Sequence, residues 1–225
     1  MEKYRKLIRA AERLLYPETI YCISCGHPID PGMPYSLCRY CREHYAFAES
    51  GHKATGYHAT WYSLWEKETV LRFKYANCAY YAGPMADMMA DMLQMYGKAD
   101  CDGIVAVPIH ADRLRTRGYN QAELLARELA ERLEKPYVPD ALRRLKKTSP
   151  LKTLGETERR NELMNAFGPG SGDVAGKRIL LVDDILTTGA TASVCTDVLR
   201  AMGAVSVRTV TFAATARGKE PVVRE

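Results

Sequence analysis

The stretch from Ile179 to Thr191 reads Ile-Leu-Leu-Val-Asp-Asp-Ile-Leu-Thr-Thr-Gly-Ala-Thr. Its first four residues are apolar, which is typical of a buried parallel strand. The next two, Asp183 and Asp184, are acidic. Open α/β sheets bind their ligands at the carboxyl ends of their strands. The order of these residues therefore predicts a strand that delivers two carboxylates to a ligand-binding edge, followed by a turn and a helix.

The turn after the acids is rich in hydroxyl groups and contains one glycine. It is formed by Thr187, Thr188, Gly189, Ala190 and Thr191. Such a turn can direct backbone N–H groups and hydroxyls at a phosphate on the N-terminus of the next helix. Carboxylates that met the same phosphate would repel it, so the two acids suit sugar hydroxyls or a metal ion. A phosphorylated ribose fits both halves, and the alternative is a buried strand followed by an ordinary Asp-containing turn.

The composition of the whole chain limits its class. At 225 residues it can hold one α/β domain and a small appended module. Hydrophobic residues make up 47% and charged residues 26%, as in ordinary globular proteins. No apolar run approaches the roughly 20 residues that span a bilayer. Residues 1–16 have the pattern of an amphipathic helix and lack the features of a signal peptide, so we expect a cytoplasmic protein.

Four of the seven cysteines form two Cys-x-x-Cys pairs separated by twelve residues. The members of these pairs are Cys22, Cys25, Cys38 and Cys41. Two such pairs supply four thiolates for a tetrahedral zinc ion, and a closed site of this kind is structural because it keeps no position for substrate. A redox role for one pair is the alternative, although the odd cysteine count favours metal binding in a reducing compartment. We predict a zinc-ribbon module over residues 18–50 and an α/β domain over residues 51–218.

The rest of the chain alternates predicted helices and strands, which favours a mostly parallel sheet flanked by helices. A central parallel strand is predicted at Gly103–Pro108, and Asp112 to Gln121 is predicted to be a mobile, phosphate-seeking loop. Five methionines at helical spacing are predicted to pack in the core: Met85, Met88, Met89, Met92 and Met95. Further strands are predicted near 54–64, 137–145 and 205–212, further helices near 66–75, 80–96, 122–133 and 191–202, and turns over 167–172.

Residues 111–160 contain thirteen Lys or Arg and eight Asp or Glu, so this segment alone carries the formal net charge of +5. Such a patch attracts polyphosphates or nucleic acids. The alternative is the solvated face of a helix, especially over residues 123–135. The sequence leaves both interpretations open.

Residues 179–191 resemble the thirteen-residue phosphoribosyl diphosphate signature of type I phosphoribosyltransferases. Together with the paired cysteines and the Arg113–Gln121 loop, they make the chain similar to the ComF family, which is phosphoribosyltransferase-like with a zinc-binding head. Val107–His110, Phe73–Tyr75 and Glu158–Arg160 also fit this family. The resemblance implies a type I phosphoribosyltransferase fold with a small N-terminal zinc ribbon that has four cysteine ligands.

The resemblance also implies a site. Asp183 and Asp184 would be the catalytic acids that hold the ribose hydroxyls, and Thr187 to Thr191 would wrap the 5′-phosphate of phosphoribosyl diphosphate bound with Mg²⁺. The pyrophosphate would be met by a loop and its neighbouring arginines, namely Ile109, His110, Arg113, Arg115 and Arg117. A purely structural role for His110 is an equal alternative.

The family is associated with DNA uptake during natural transformation, and the resemblance implies that process for this chain. Leu151 and Glu162 depart from the family pattern, which usually has Gln and Asn at these positions, and the departures bear on the acceptor or the activity. Two functions follow. One is a phosphoribosyltransferase that displaces pyrophosphate, and the other is a non-catalytic or regulatory adaptor that binds single-stranded DNA, and with it DNA-uptake proteins, through the basic 111–160 segment.

Overall fold

The computed structural model describes residues 20–48, 52–53, 56–146 and 165–215. The predicted helix over residues 1–16 lies outside this range. So do Leu151, Glu158–Arg160 and Glu162, and the structure does not test the expectations that concern them.

Four parallel strands and one antiparallel edge strand form the main sheet. The sheet order is β1-β2-β7-β6-β3, and a separate antiparallel pair is formed by β4 and β5. The bounds are β1 His52–Lys53, β2 Gly56–Trp61, β3 Gly103–Ala106, β4 Leu142–Arg144, β5 Phe167–Pro169, β6 Arg178–Leu186 and β7 Ser206–Ala214. The mostly parallel sheet predicted from the sequence is confirmed.

Six α-helices are described: α1 Arg39–His44, α2 Leu64–Tyr75, α3 Ala82–Met95, α4 Ala111–Arg117, α5 Gln121–Leu133 and α6 Ala190–Ala201. Helices α3 and α5 pack on each other and cover one side of the sheet, where Leu180 and Val182 of β6 are buried. Helix α6 and the β4–β5 pair cover the other side, where Ile179 and Leu181 are buried. The predicted α/β layering is therefore present, with β6 buried on both faces.

Three local expectations are wrong. Strand β3 ends the strand order and is not central, although Tyr137 forms a single parallel bridge to Ile104 on its outer side. The predicted mobile loop begins as helix α4, which His110 caps at its start and Gly118 ends in a left-handed conformation. Phe167–Pro169, predicted to be a turn, pairs with β4.

The methionines of α3 mostly follow the prediction. Met85, Met88, Met89 and Met92 are buried in the core. Met95 is 76% exposed, because it is the last residue of the helix and lies beyond the part that packs on α5, so its core assignment is wrong.

The cysteine-containing segment shares its core with the sheet. Ile23 and Leu37 lie in the same buried cluster as Phe73 of α2. The buried carboxylate of Glu66 accepts hydrogen bonds from the backbone N–H groups of Ala46 (2.7 Å) and Ser63 (3.1 Å). A buried carboxylate is tolerated only when such donors surround it, so Glu66 connects the N-terminal segment to α2.

Candidate functional site

The two acids lie in the last four residues of β6, beside β7. Asp183 is in register with Thr211, and the parallel pairing continues to Leu186 and Ala214. Because successive side chains of a strand point to opposite faces, the two carboxylates have different surroundings. Asp183 lies on the side of Leu181, towards α6, and Asp184 lies on the side of Val182, towards α2.

Asp184 is paired with a lysine from a distant part of the chain. The ammonium Nζ of Lys74, in the last turn of α2, lies 2.8 Å from Asp184 Oδ2. The two side chains are only 18% and 12% exposed, so the pair is shielded from solvent. A pair of this kind interacts more strongly than a surface salt bridge. The charge of Asp184 is therefore balanced from the α2 side.

Asp183 has different surroundings, and among the described residues it forms no ion pair with a lysine. Burial and the negative charge of Asp184 raise the pKa of Asp183 to about 7. The N–H of Asp184 donates to Asp183 Oδ1 at 2.8 Å, and this bond, with the charges of Lys74 and Arg144, limits the rise. A raised pKa of this kind is common among acids at functional sites.

Arg144 supplies the positive charge on the Asp183 side. It is the last residue of β4, and its guanidinium carbon lies 4.9 Å from the centroid of the Phe167 ring on β5. Burial and the nearby charge of Arg113 lower the pKa of Arg144, while Asp183 acts in the opposite direction. Arg144 therefore interacts electrostatically both with Asp183 and with Arg113, which is one of the predicted arginines.

The turn after β6 leads directly into helix α6, in the order predicted from the sequence. Thr187 and Thr188 are exposed, and Gly189 has a φ of 82°, a conformation that favours glycine. Helix α6 begins at Ala190, whose N–H donates to Thr188 Oγ1 at 3.4 Å, and no side-chain cap is formed at Gly189. The N-terminus of α6 therefore follows directly after the acids on the same edge of the sheet.

The exit loop of β3 lies beside the acids. The N–H of Val107 donates to the carbonyl of Val182 at 2.9 Å, one residue before Asp183. The side chain of Asn120 donates to the carbonyl of Val107 at 3.1 Å and accepts from the N–H of Ala122, so it also caps α5. These bonds fix the predicted pyrophosphate loop, which contains Ile109 and His110, next to the carboxyl end of β6.

The predicted loop residues divide into two groups. His110 Nδ1 accepts from the N–H of Asp112 at 3.2 Å and so caps α4. Arg117 donates to Tyr75 Oη and Gln121 Oε1, both at 3.1 Å, which holds it against the protein. Arg113 and Arg115 are exposed, and Arg115 has one contact of 3.6 Å to Asp112. Arg113 and Arg115 are therefore the members of the set that are available to a ligand.

The four cysteines come together as predicted. Their sulfur atoms all lie within 4.8 Å of one another, and Cys25 Sγ lies 3.8 Å from Cys38 Sγ. Tetrahedral Zn–S bonds of about 2.3 Å place sulfurs about 3.8 Å apart. The set therefore fits a structural zinc ion, and the N–H of Cys41 donates to Cys38 Sγ at 3.4 Å, as in a knuckle.

Three residues of this site were not predicted from the sequence. Lys74 and Arg144 face the acids from α2 and β4, and Asn120 ties the β3 exit loop to α5. The Phe73–Tyr75 segment fits the ComF pattern, which marks it as part of the family resemblance. That resemblance did not indicate which residue the segment contacts. Arg144 lies in a basic stretch with nothing that distinguishes it from Arg143.

A family model described as the phosphoribosyl transferase domain matches residues 116–224. This part of the chain is similar to a phosphoribosyl transferase domain. The match includes the β6 acids and the following turn, and it confirms the resemblance predicted from the sequence.

Curated relatives extend that resemblance. Competence protein F of Haemophilus influenzae is 36% identical over 104 residues, which are 45% of this chain and 45% of that protein. DNA utilization protein YhgH of Escherichia coli K12 is 34% identical over 107 residues, 48% of this chain and 47% of that protein. The chain thus spans about half the length of the curated relatives it matches.

Solved structures give weaker likenesses. The glutamine phosphoribosylpyrophosphate amidotransferase of B. subtilis covers 62% of this chain and 30% of its own, with 19% identity and a TM-score of 0.43. An adenine phosphoribosyltransferase from Leishmania donovani covers 88% of this chain and 89% of its own, with 11% identity and a TM-score of 0.39. Because these TM-scores are low, the fold assignment rests on the observed order of the strands in the sheet and on the helices that cover its two sides. Among the described residues, no helix is long and apolar enough to cross a membrane.

Proposed function

We propose that the protein binds phosphoribosyl diphosphate together with Mg²⁺ and displaces its pyrophosphate, as a phosphoribosyltransferase. The observation that carries this proposal is the meeting of three features at one edge of the sheet. These are the acid pair at the end of β6, the turn that leads into α6 and the exit loop of β3. Each suits a different part of a phosphorylated ribose that carries a diphosphate.

The acids would bind the ribose hydroxyls. The carboxylate of Asp184 is paired with Lys74, and carboxylate oxygens accept hydrogen bonds from hydroxyl groups. The 5′-phosphate would lie at the Thr187–Thr191 turn, where exposed hydroxyls and the positive end of the α6 dipole favour an anion. Binding at both ends would fix the orientation of the sugar.

The pyrophosphate would leave on the side of the β3 exit loop. The bond between C1 of the ribose and the diphosphate oxygen would break, and the oxygen would keep the electron pair. Negative charge that develops on this leaving group is stabilised by fixed donors and by cations. Arg113 and Arg115 are exposed on α4 directly after this loop and would supply such cations. The acceptor would form the new bond to C1 and lose its proton.

The donor set fits a magnesium ion that is held mainly by the ligand. Mg²⁺ prefers oxygen ligands and keeps much of its coordination for phosphates and water, and Asp183 and Asp184 supply carboxylate oxygens near the end of β6. When bound, the ion would neutralise charge on the diphosphate. The protein residues would hold the hydroxyls and the 5′-phosphate around it.

Titration calorimetry with phosphoribosyl diphosphate and Mg²⁺ tests the binding. We expect the wild-type protein to bind and the double variant Asp183→Ala, Asp184→Ala to lose binding, with an unchanged circular dichroism spectrum. Equal affinity of the two proteins would refute the assignment of the acids. Release of pyrophosphate, measured against a panel of bases, tests whether the site turns over.

We further propose that this activity serves DNA uptake in natural transformation, as the names of the relatives suggest for those proteins. A non-catalytic role as an adaptor for single-stranded DNA is the second candidate. It is favoured by exposed cations on α4 and in or just after β4, namely Arg113, Arg115, Arg143 and Lys146. An adaptor of this kind should bind DNA with an affinity that falls steeply with salt and should release no pyrophosphate. A DNA affinity that does not change with salt concentration would contradict the adaptor role.

A further inference from the structure

Lys74 lies outside the 179–191 stretch, and the structure places it in direct contact with one of the two acids of that stretch. It lies 110 residues before Asp184 in the sequence, yet its ammonium group is 2.8 Å from Asp184 Oδ2. Both side chains are largely shielded from water. A lysine held at this distance restricts the orientation of the carboxylate that it contacts.

The two residues next to Lys74 in the sequence, Phe73 and Tyr75, hold the end of α2 in place. The carbonyl of Phe73 accepts a hydrogen bond from the hydroxyl of Tyr119. The hydroxyl of Tyr75 accepts from Arg117 at 3.1 Å, and the guanidinium carbon of Arg117 lies 4.9 Å from the centroid of the Tyr75 ring. The neighbours of Lys74 are thus anchored to Arg117 at the end of α4 and to Tyr119 in the segment that joins α4 and α5. The ammonium group is presented to Asp184 from a fixed helix end and not from a mobile loop.

Asp184 has two carboxylate oxygens, and the ion pair uses Oδ2. The other oxygen retains its capacity to accept hydrogen bonds from a ligand. The ion pair therefore restrains the Asp184 carboxylate and leaves Oδ1 as the oxygen for a ligand.

We propose that Lys74 is a positioning residue for sugar binding, which orients the Asp184 carboxylate so that its second oxygen accepts a ribose hydroxyl. This inference rests on the proposed function, since it deepens the role of the same site. It assigns Lys74 to the sugar half of the ligand and not to the pyrophosphate half. The two halves can be tested separately.

The probes are ribose 5-phosphate, which has the hydroxyls but no diphosphate, and inorganic pyrophosphate, which has no hydroxyls. We expect Lys74→Met to weaken the binding of ribose 5-phosphate by about 10- to 100-fold, as is usual when the partner of a ligand-binding side chain is removed. Pyrophosphate affinity should change by less than about threefold, because Lys74 contacts Asp184 whereas the proposed pyrophosphate-binding residues belong to the β3 exit loop and α4, so the lost charge acts on pyrophosphate only at longer range, where salt screens it. Lys74→Arg should restore most of the affinity for ribose 5-phosphate, which a merely structural role in packing would not predict.

Two further variants complete the experiment. Lys67→Met removes an exposed lysine from the same helix and should bind both probes like the wild type. In a double-mutant cycle with Asp184→Asn, removing Lys74 should have no further effect, because its partner charge is already gone. Thermal unfolding of every variant shows that each is folded at the assay temperature.

Four outcomes would overturn the proposal. They are a wild-type affinity of Lys74→Met for ribose 5-phosphate, an equal loss of pyrophosphate affinity, failure of Lys74→Arg to restore binding, and additive losses in the double variant. Failure of the proposed function is distinct, since it would appear as absence of binding by the wild-type protein itself.

Discussion

The backbone N–H of Val107 donates to the carbonyl of Val182, and this 2.9 Å hydrogen bond sets the exit loop of β3 beside the acid pair. The carbonyl of Val107 in turn accepts from the side chain of Asn120. Val107 is thus bonded on one side to the strand that carries the acids and on the other to the start of α5. The distance between the proposed sugar and pyrophosphate halves of the site depends on these two bonds.

Asn120 allows a test of that connection, because it has two separate roles. Asn120→Ala removes the cap of α5 and the bond to Val107, and should cost about 1 kcal/mol of stability as well as weakening pyrophosphate binding. Asn120→Ser keeps a capping hydroxyl but loses the donor to Val107. We expect it to retain most of the stability and still lose pyrophosphate affinity in calorimetry. Equal pyrophosphate affinities of Asn120→Ser and the wild type would show that the bond to Val107 does not shape the loop.

The raised pKa of Asp183 predicts a pH dependence of stability. Its pKa is about 7 in the folded protein and near 3.8 when unfolded, so between these values the folded state binds more protons. The free energy of unfolding should therefore fall as the pH rises through this window, by at most about 1.4 kcal/mol per pH unit from this group. Above about pH 7 the contribution should level off.

Asp183→Asn removes this titration, and urea unfolding of both proteins from pH 5 to pH 8 measures its effect. The difference between the two stability curves isolates Asp183 from the other acids. A difference that does not change with pH would mean that Asp183 titrates normally in the folded state.

Arg144 and Arg143 form a matched pair on β4, since the first is partly buried near Asp183 and the second is exposed. An opposite charge nearby lowers the pKa of an acid by about one unit or more. Arg144→Met should therefore move the pH at which phosphoribosyl diphosphate binding is half-maximal upwards by about one unit. Arg143→Met should leave it unchanged. Equal pH profiles for both variants would show that Arg144 does not act on Asp183.

The cysteine cluster predicts a metal content that can be counted. The wild-type protein should contain one zinc ion per chain by mass spectrometry of the metal, and Cys25→Ser should contain less. The variant should also unfold at least about 5 °C lower, since 1 kcal/mol shifts the midpoint by about 2–4 °C for a chain of this size. Cys78→Ser, which lies outside the cluster, is the control and should keep its metal. Full zinc in Cys25→Ser would exclude the four-cysteine site.

The features that could be predicted from the sequence are those that depend on residues close to one another in the chain. The apolar run before Asp183, the glycine at position 189 and the helix that follows are all local features, and they occur in the predicted order. The four cysteines are also close in sequence, so their spacing alone predicted their cluster. The prediction from local sequence was wrong at α4, where three arginines before Gly118 suggested a loop. The cap that starts this helix is His110, which is not one of the usual capping residues.

The remaining errors and omissions concern contacts between distant residues. The position of β3 at the end of the strand order depends on which strands pair, and hydrophobic pattern does not specify that. Lys74 and Arg144 reach the acids from 110 and 39 residues away, and nothing near either residue in the sequence indicates its partner. The position of the acids at the end of a buried strand was therefore predictable, whereas the charged side chains around Asp183 and Asp184 were not.

The single buried cluster that joins the cysteine segment to the sheet has an evolutionary consequence. Ile23 and Leu37 are fully buried in the same cluster as Val70 and Phe73, so a change of side-chain volume on one side alters packing on the other. Substitutions in the two segments cannot accumulate independently. Among homologues we expect the side-chain volumes on the two sides to vary together, as they do within one domain and not between two joined domains.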